Sequence, residues 1–240
     1  MALVICADTD ADHIIDVLCE CDFGFDSSSS APQRSSFFEK ECAYMPYVED
    51  FMEVSKPIFN VGIKDTKIPS SPAERDKKDI AMSILCDMIF SHSGELYTQL
   101  FESGKISPSF SHGYSIHKDF AMITVASEAD DPKEVFEILL SHLKKLRRDG
   151  LSRQDFERRK RVMYSDFVKL FDSSEEIANV LLNFVFENSD MFEYQKSIGE
   201  VTFEDVCALF DESFDEKFMT LSVIYPLNFK KNMKGTDKNG

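Results

Sequence analysis

The sequence predicts an α+β fold, a mixed and largely antiparallel sheet with helices packed on one side. Three observations carry this expectation. Ser109 to Ser115 and Phe120 to Ser127 read as two strands joined by a tight turn at His117-Lys118-Asp119, which is an antiparallel hairpin. Nearly everything after Asp130 is helical until one last strand, so strands and helices are segregated rather than alternating as in a doubly wound parallel sheet. The 240 residues, 43% of them hydrophobic, suit one compact unit with a sizeable core. Residues 1–227 are therefore expected to form one αβ domain, and 228–240 a polar, disordered tail.

Taken in order, Ala2-Leu3-Val4-Ile5-Cys6 is β-rich and unbroken, the pattern of a strand buried on both faces. Asp10 then caps a helix with Ile14, Ile15, Val17 and Leu18 at helical spacing. Residues 23 to 45, with Ser27-Ser28-Ser29-Ser30 and Pro32, read as a mobile surface loop. From Val48 to Asp65 the pattern is strand, interrupted by Pro57, with Ile58, Asn60 and Gly62 alternating with Phe59, Val61 and Ile63. Ser71-Pro72-Ala73-Glu74 combines a Ser cap, a first-turn Pro and a Glu placed for a capping box, and opens a helix running to about His92. A short helix with Leu96, Tyr97 and Leu100 ends at Gly104. Beyond the hairpin, Val135, Ile138, Leu139, Leu143 and Leu146 form one apolar stripe that stops at Gly150. Ser152 caps a helix whose buried face is Phe156, Met163, Phe167, Leu170 and Phe171; helices at Ser174–Glu187 and Thr202–Glu212 and a strand at Phe218–Tyr225 complete the order.

The 27 basic and 43 acidic residues give a net charge of −16, which repels phosphate backbones and anionic membranes. Neither nucleic acid nor a membrane is an expected partner. The start lacks a basic region before its short apolar run, and no stretch reaches the ~20 apolar residues of a membrane span, so a cytoplasmic location is expected. Six scattered cysteines read as reduced thiols, and Cys19-Glu20-Cys21 alone supplies at most half a zinc site.

Chemistry-bearing groups are sparse. Asp8-Thr9-Asp10 after a hydrophobic run could serve an aspartate-dependent phosphatase, with Asp130-Asp131 as a further acidic pair, but acids beside helix starts are ordinarily caps. His13, His92, His112, His117 and His142 include no pair spaced to bind zinc from one helical face, and no GxSxG elbow occurs. His92, His112 and His117 could converge across the hairpin, although turn histidines are commoner. The basic stretches Lys144–Arg148 and Arg153–Arg161 contain interleaved acids such as Glu157 and read as solvated helix faces.

Several segments in order resemble the second αβ half of an insulinase/pitrilysin-type zinc peptidase, in particular short two-domain bacterial members similar to mitochondrial processing peptidase subunits. Met1–Asp10 resembles the opening strand-turn segment, Phe59–Lys64 the next strand, Gly94–Glu102 the "S-x-L-Y/F-x-x-L" helix, Ser109-Phe110-Ser111 the strand after it, and Phe156–Lys160 and Ser174–Asn179 the later helices. The resemblance spans roughly residues 1 to 225. It implies a non-catalytic domain that helps enclose a peptide chamber, partnered by an HxxEH-bearing domain of the same or a homologous chain. Zinc would belong to the parent protein, not to this chain. It further implies Leu100, Phe101, Phe110 and Tyr114 as substrate-chamber residues, with no catalytic or metal-binding residue. The family's substrate-contacting Arg and Tyr are not matched: the corresponding stretch reads Phe101 and Ile106-Ser107-Pro108. A catalytically silent scaffold subunit and the Asp8/Asp10 phosphatase are the alternatives.

Overall fold

Five strands form one sheet in the order β1-β5-β2-β4-β3: β1 (Tyr47–Met52), β2 (Ile58–Asp65), β3 (Ser111–Ile116), β4 (Ala121–Glu128) and β5 (Met219–Pro226). Only β1 and β5 run parallel; the other neighbours are antiparallel. The structure is a computed structural model that describes residues 2–21, 24 and 40–229. Eight α-helices accompany the sheet among the described residues: α1 (Ala11–Glu20), α2 (Pro72–Phe90), α3 (Glu95–Glu102), α4 (Pro132–Asp149), α5 (Arg153–Lys169), α6 (Ser174–Glu187), α7 (Met191–Glu200) and α8 (Phe203–Ser213). The fold is thus mixed and largely antiparallel, as the hairpin and the helical second half imply.

Strand alternation makes the sheet one-sided. On β2, Phe59, Val61, Ile63 and Asp65 are buried while Ile58, Asn60, Gly62 and Lys64 are not; β4 buries Ala121, Ile123, Val125 and Ser127, and β5 buries Met219, Leu221 and Val223. Successive side chains point to opposite faces, so a single row of apolar residues per strand suffices to seat the helices. Helix α2 is the centre of that layer. It buries Ile80, Ala81, Met82, Ile84, Leu85, Cys86, Ile89 and Phe90, and it packs against β3, α5, α7 and α8. A helix apolar around most of its circumference belongs inside a fold, and here it is covered on several sides.

The helix starts follow their caps. Asp131 accepts from the amides of Lys133 and Glu134, Ser152 from Asp155, and Thr202 forms a full capping box with Asp205. Ser71 differs from expectation: its side chain makes no cap bond, and the Pro69–Ser70 carbonyls are instead held by the Arg75 guanidinium, at 3.0 Å to Ser70. Pro72 opens the helix by removing a donor that would otherwise be free. Gly94 lies between α2 and α3, where an added Cβ would come within 3.0 Å of the Ser91 carbonyl, and Gly150 ends α4 at φ +82.

Three expectations are corrected. Ala2–Cys6 is not a strand: Leu3 is 62% exposed, and the edge beside β5 is occupied by Tyr47–Met52, so the run has no ladder partner. Helix α7 is absent from the sequence reading although Asp190 caps it through the amides of Phe192 and Glu193. Phe171 is exposed because α5 gives way to a 3₁₀ turn at Leu170–Asp172, which rotates it off the buried face. Most of the Ser-rich segment and the tail from Lys230 lie outside the described residues.

Candidate functional site

The middle of the sheet face opposite the helices is made from small and hydrogen-bonding residues, while Val48, Ile58, Met122 and Ile224 lie around it. Strand register aligns Gly113, Thr124, Gly62 and Thr220 directly across four strands, and beside them Ser111, Ala126, Asn60 and Ser222. Neither glycine is demanded by the backbone. A Cβ at Gly62 would meet only the Met122 methyl at 3.8 Å, and one at Gly113 only Thr124 Oγ1 at 4.0 Å. Glycine inside a strand costs stability and commonly marks a place where something approaches the backbone closely. Charges on this face stand at its periphery, Lys64 and Glu128 toward the ends of their strands and Asp50 on the edge strand β1. The middle of the face is uncharged in a chain of net charge −16.

On the covered face, polar groups tie elements together. Lys78 of α2 reaches Asp65 at the end of β2, with Nζ at 2.8 and 2.7 Å from the two carboxylate oxygens. Tyr114 donates to the same carboxylate at 2.8 Å, and the Lys67 amide adds a third donor. Burial first, then the Asp65 charge, holds the Tyr114 hydroxyl well above the usual phenol range, so it stays protonated and donates. Farther along, Ser189 donates to Asp76 at 2.9 Å and Tyr194 to Asp79 at 3.1 Å, linking α2 to the α6–α7 connection. Burial raises both acids; for Asp79, with the Tyr194 bond and His117 opposing and Asp76 reinforcing, the value is pushed up to about 6.

The four residues implied as chamber-lining occupy different settings. Leu100 and Phe110 are in the core. Tyr114 is half-buried on the helix side, and Phe101 is 42% exposed. Phe101 stacks on Tyr97 at 5.3 Å between centroids, and Tyr97 in turn touches Phe110 and stacks on His92. The histidines do not converge: His92 bonds the Phe110 carbonyl, His112 meets Asp87, His117 meets Glu187, and His142 is buried on α4 with its pKa lowered by desolvation. Among the described residues no three His, Cys, Asp or Glu side chains are placed to hold a metal ion, so these residues do not fit a zinc site. Asp10 uses its carboxylate as the α1 cap, accepting from Asp12, and the strand that would aim Asp8 and Asp10 in a phosphatase is not formed. The cysteines among the described residues are free thiols, and Cys86 is buried.

The basic stretches are committed locally. Lys144 pairs with Glu216, Lys145 with Glu95, Arg153 with Glu204 and Arg158 with Asp155, while Arg147 donates to the Phe214 carbonyl and Lys160 to those of Gly199 and Val201. They knit helix to helix and leave no coherent cationic surface. No helix among the described residues is long and apolar enough to cross a membrane.

Residues that sequence reasoning missed are those of the open face. Their signal was present in β2, where Ile58, Asn60 and Gly62 alternate with a strictly apolar row.

Comparison with known proteins agrees with this architecture. A family model described as the peptidase M16 inactive domain matches residues 1–163. A Bacillus subtilis (strain 168) protein described as the uncharacterized zinc protease YmfH is 25% identical over 195 residues, covering 81% of this chain and 45% of that protein. The structure of an M16-like peptidase from Alicyclobacillus acidocaldarius superposes with a TM-score of 0.81 at 22% identity, covering 91% of this chain and 52% of the other. A protease from Helicobacter pylori gives 0.75 at 14% identity, covering 91% and 54%. The chain thus spans about half the length of these relatives. It belongs to the peptidase M16 inactive-domain family.

Proposed function

We propose that this chain is the non-catalytic half of a zinc metalloendopeptidase, packing against an HxxEH-bearing domain of the same or a homologous chain and walling a chamber for unfolded peptides. The observation that carries this reading is the open sheet face. Its uncharged middle, with two glycines the fold does not require, suits passage of peptide segments of mixed sequence, because neither bulk nor charge selects among them. In the assembled enzyme the zinc ion, held by the other half, would supply the Lewis acid that activates water. This chain's own residues shape and close the space. None of the four residues implied by the family resemblance lies on the open face, since Leu100 and Phe110 are in the core and Tyr114 and Phe101 are on the helix side, so the wall is read instead from the row Gly113, Thr124, Gly62 and Thr220.

The test uses the purified chain with and without an HxxEH-bearing M16 domain from the same source and a quenched fluorescent peptide. Cleavage only when both halves are present, with zinc retained by the other half, supports the proposal. Stoichiometric zinc binding and cleavage by this chain alone would overturn it.

A further inference from the structure

The turn between β3 and β4 meets the end of α6 at a cleft of about 400 Å³, within the range of small-ligand sites. One wall is His117–Phe120 and the other Phe186–Asn188, with Arg75 of α2 also lining the space. His117 Nδ1 and Glu187 Oε1, 2.9 Å apart, bridge the walls. Asn188 ends α6 in the left-handed region at φ +54. Phe186 is 62% exposed and Phe120 51% exposed, the latter 4.7 Å from the His117 ring. Two large aromatic rings thus stand largely in water on either side of one cleft.

The polar groups define what such a ligand carries. Arg75 is buried and lines the cleft; its guanidinium donates to the carbonyls of Ser70 and Glu187, and its charge also acts on the Asp76 carboxylate beside it. Lys118 makes no ion pair among the described residues, whereas most of the other described lysines do. Opposing them are Asp119 and Glu187, and the Glu187 carboxylate is engaged by His117. Two cations and two acids leave the lining close to neutral, a setting where an anion meets less repulsion than the chain's net charge of −16 implies, with Lys118 the cation that has no ion pair among the described residues.

We propose that this cleft binds the C-terminal end of a peptide whose last residue is aromatic or aliphatic. The side chain lies between Phe120 and Phe186, and the terminal carboxylate faces Lys118 and Arg75. The ligand class rests on the peptide-handling reading above, but binding is measured on this chain alone, so a negative result here leaves the two-half cleavage test standing and the converse also holds.

The experiment titrates the intact, isotope-labelled chain with acetyl-Leu-Phe bearing a free carboxylate and, separately, with its C-terminal amide, following backbone amide shifts. The expected result is perturbation centred on 117–120 and 186–188, with the amide binding about tenfold more weakly than the acid. Lys118→Glu should weaken the acid by a similar factor and leave the amide unchanged, and Phe186→Ser should weaken both; both positions are exposed, and thermal midpoints check the fold. Equal affinity for acid and amide, perturbations elsewhere, or no binding at about 1 mM would overturn the proposal. The acid–amide comparison needs no mutation, so it decides the matter even if a variant fails to fold.

Discussion

Asp79 places a carboxylate where its charge is poorly solvated, and replacing it by asparagine isolates that cost. The side chain sits on α2 beneath the start of α7 and accepts one hydrogen bond, from Tyr194 at 3.1 Å. Burial raises its pKa from 3.8 to about 6. The folded state therefore holds a proton that the unfolded chain has already lost once the pH exceeds about 4. Stability from this group is fully present below pH 4, declines as pH rises through 6, and is absent above it. The interval corresponds to roughly 3 kcal/mol, and residual solvent contact of a half-buried side chain reduces this to about 2 kcal/mol. Asparagine keeps an acceptor for Tyr194 and removes the charge. Asp79→Asn should raise the melting temperature at pH 7.5 by about 4–8 °C and have little effect at pH 4. Thermal unfolding followed by circular dichroism across that range is the assay. A variant no more stable than the parent at pH 7.5, or one whose gain does not shrink toward pH 4, would refute the reasoning.

Lys78→Met strands the buried Asp65 carboxylate with only Tyr114 and the Lys67 amide, and should cost about 3–5 kcal/mol in urea unfolding; adding Asp65→Asn should recover most of it. Leu85→Ala, at a fully buried position of α2, should cost about 2–5 kcal/mol. Gly62→Ala and Gly113→Ala meet only ordinary contacts and should leave stability unchanged or raise it by about 0.5 kcal/mol each, while lowering peptide turnover in the two-half assembly, a split between folding and function that unfolding and cleavage assays read separately.

The fold was legible wherever the signal is local. The caps at Asp10, Asp131 and Ser152 and the stop at Gly150 each depend on a few neighbouring residues, and each lies where the sequence placed it. Ala2–Cys6 was misread because β-propensity reports fitness for a strand and not the availability of a partner, which here went to Tyr47–Met52. Helix α7 escaped notice because Met191–Glu200 is short and follows α6 after only a brief connection, although Asp190 with Glu193 three residues on is a usable start signal. The open face could be glimpsed from β2 alone. Its extent could not, since it needs the register of Gly113, Thr124, Gly62 and Thr220 on four separate strands. The cleft between His117 and Glu187 joins positions 70 apart in sequence and leaves no local trace.

The central claim, that this M16 inactive-domain chain completes a peptidase whose zinc lies elsewhere, is tested most directly by reconstitution. Peptide cleavage should be absent with this chain alone, absent or weak with the HxxEH-bearing domain alone, and appear on mixing, with metal analysis finding the zinc on the other half. Zinc bound one-to-one by this chain, together with cleavage in the absence of any partner, would contradict it.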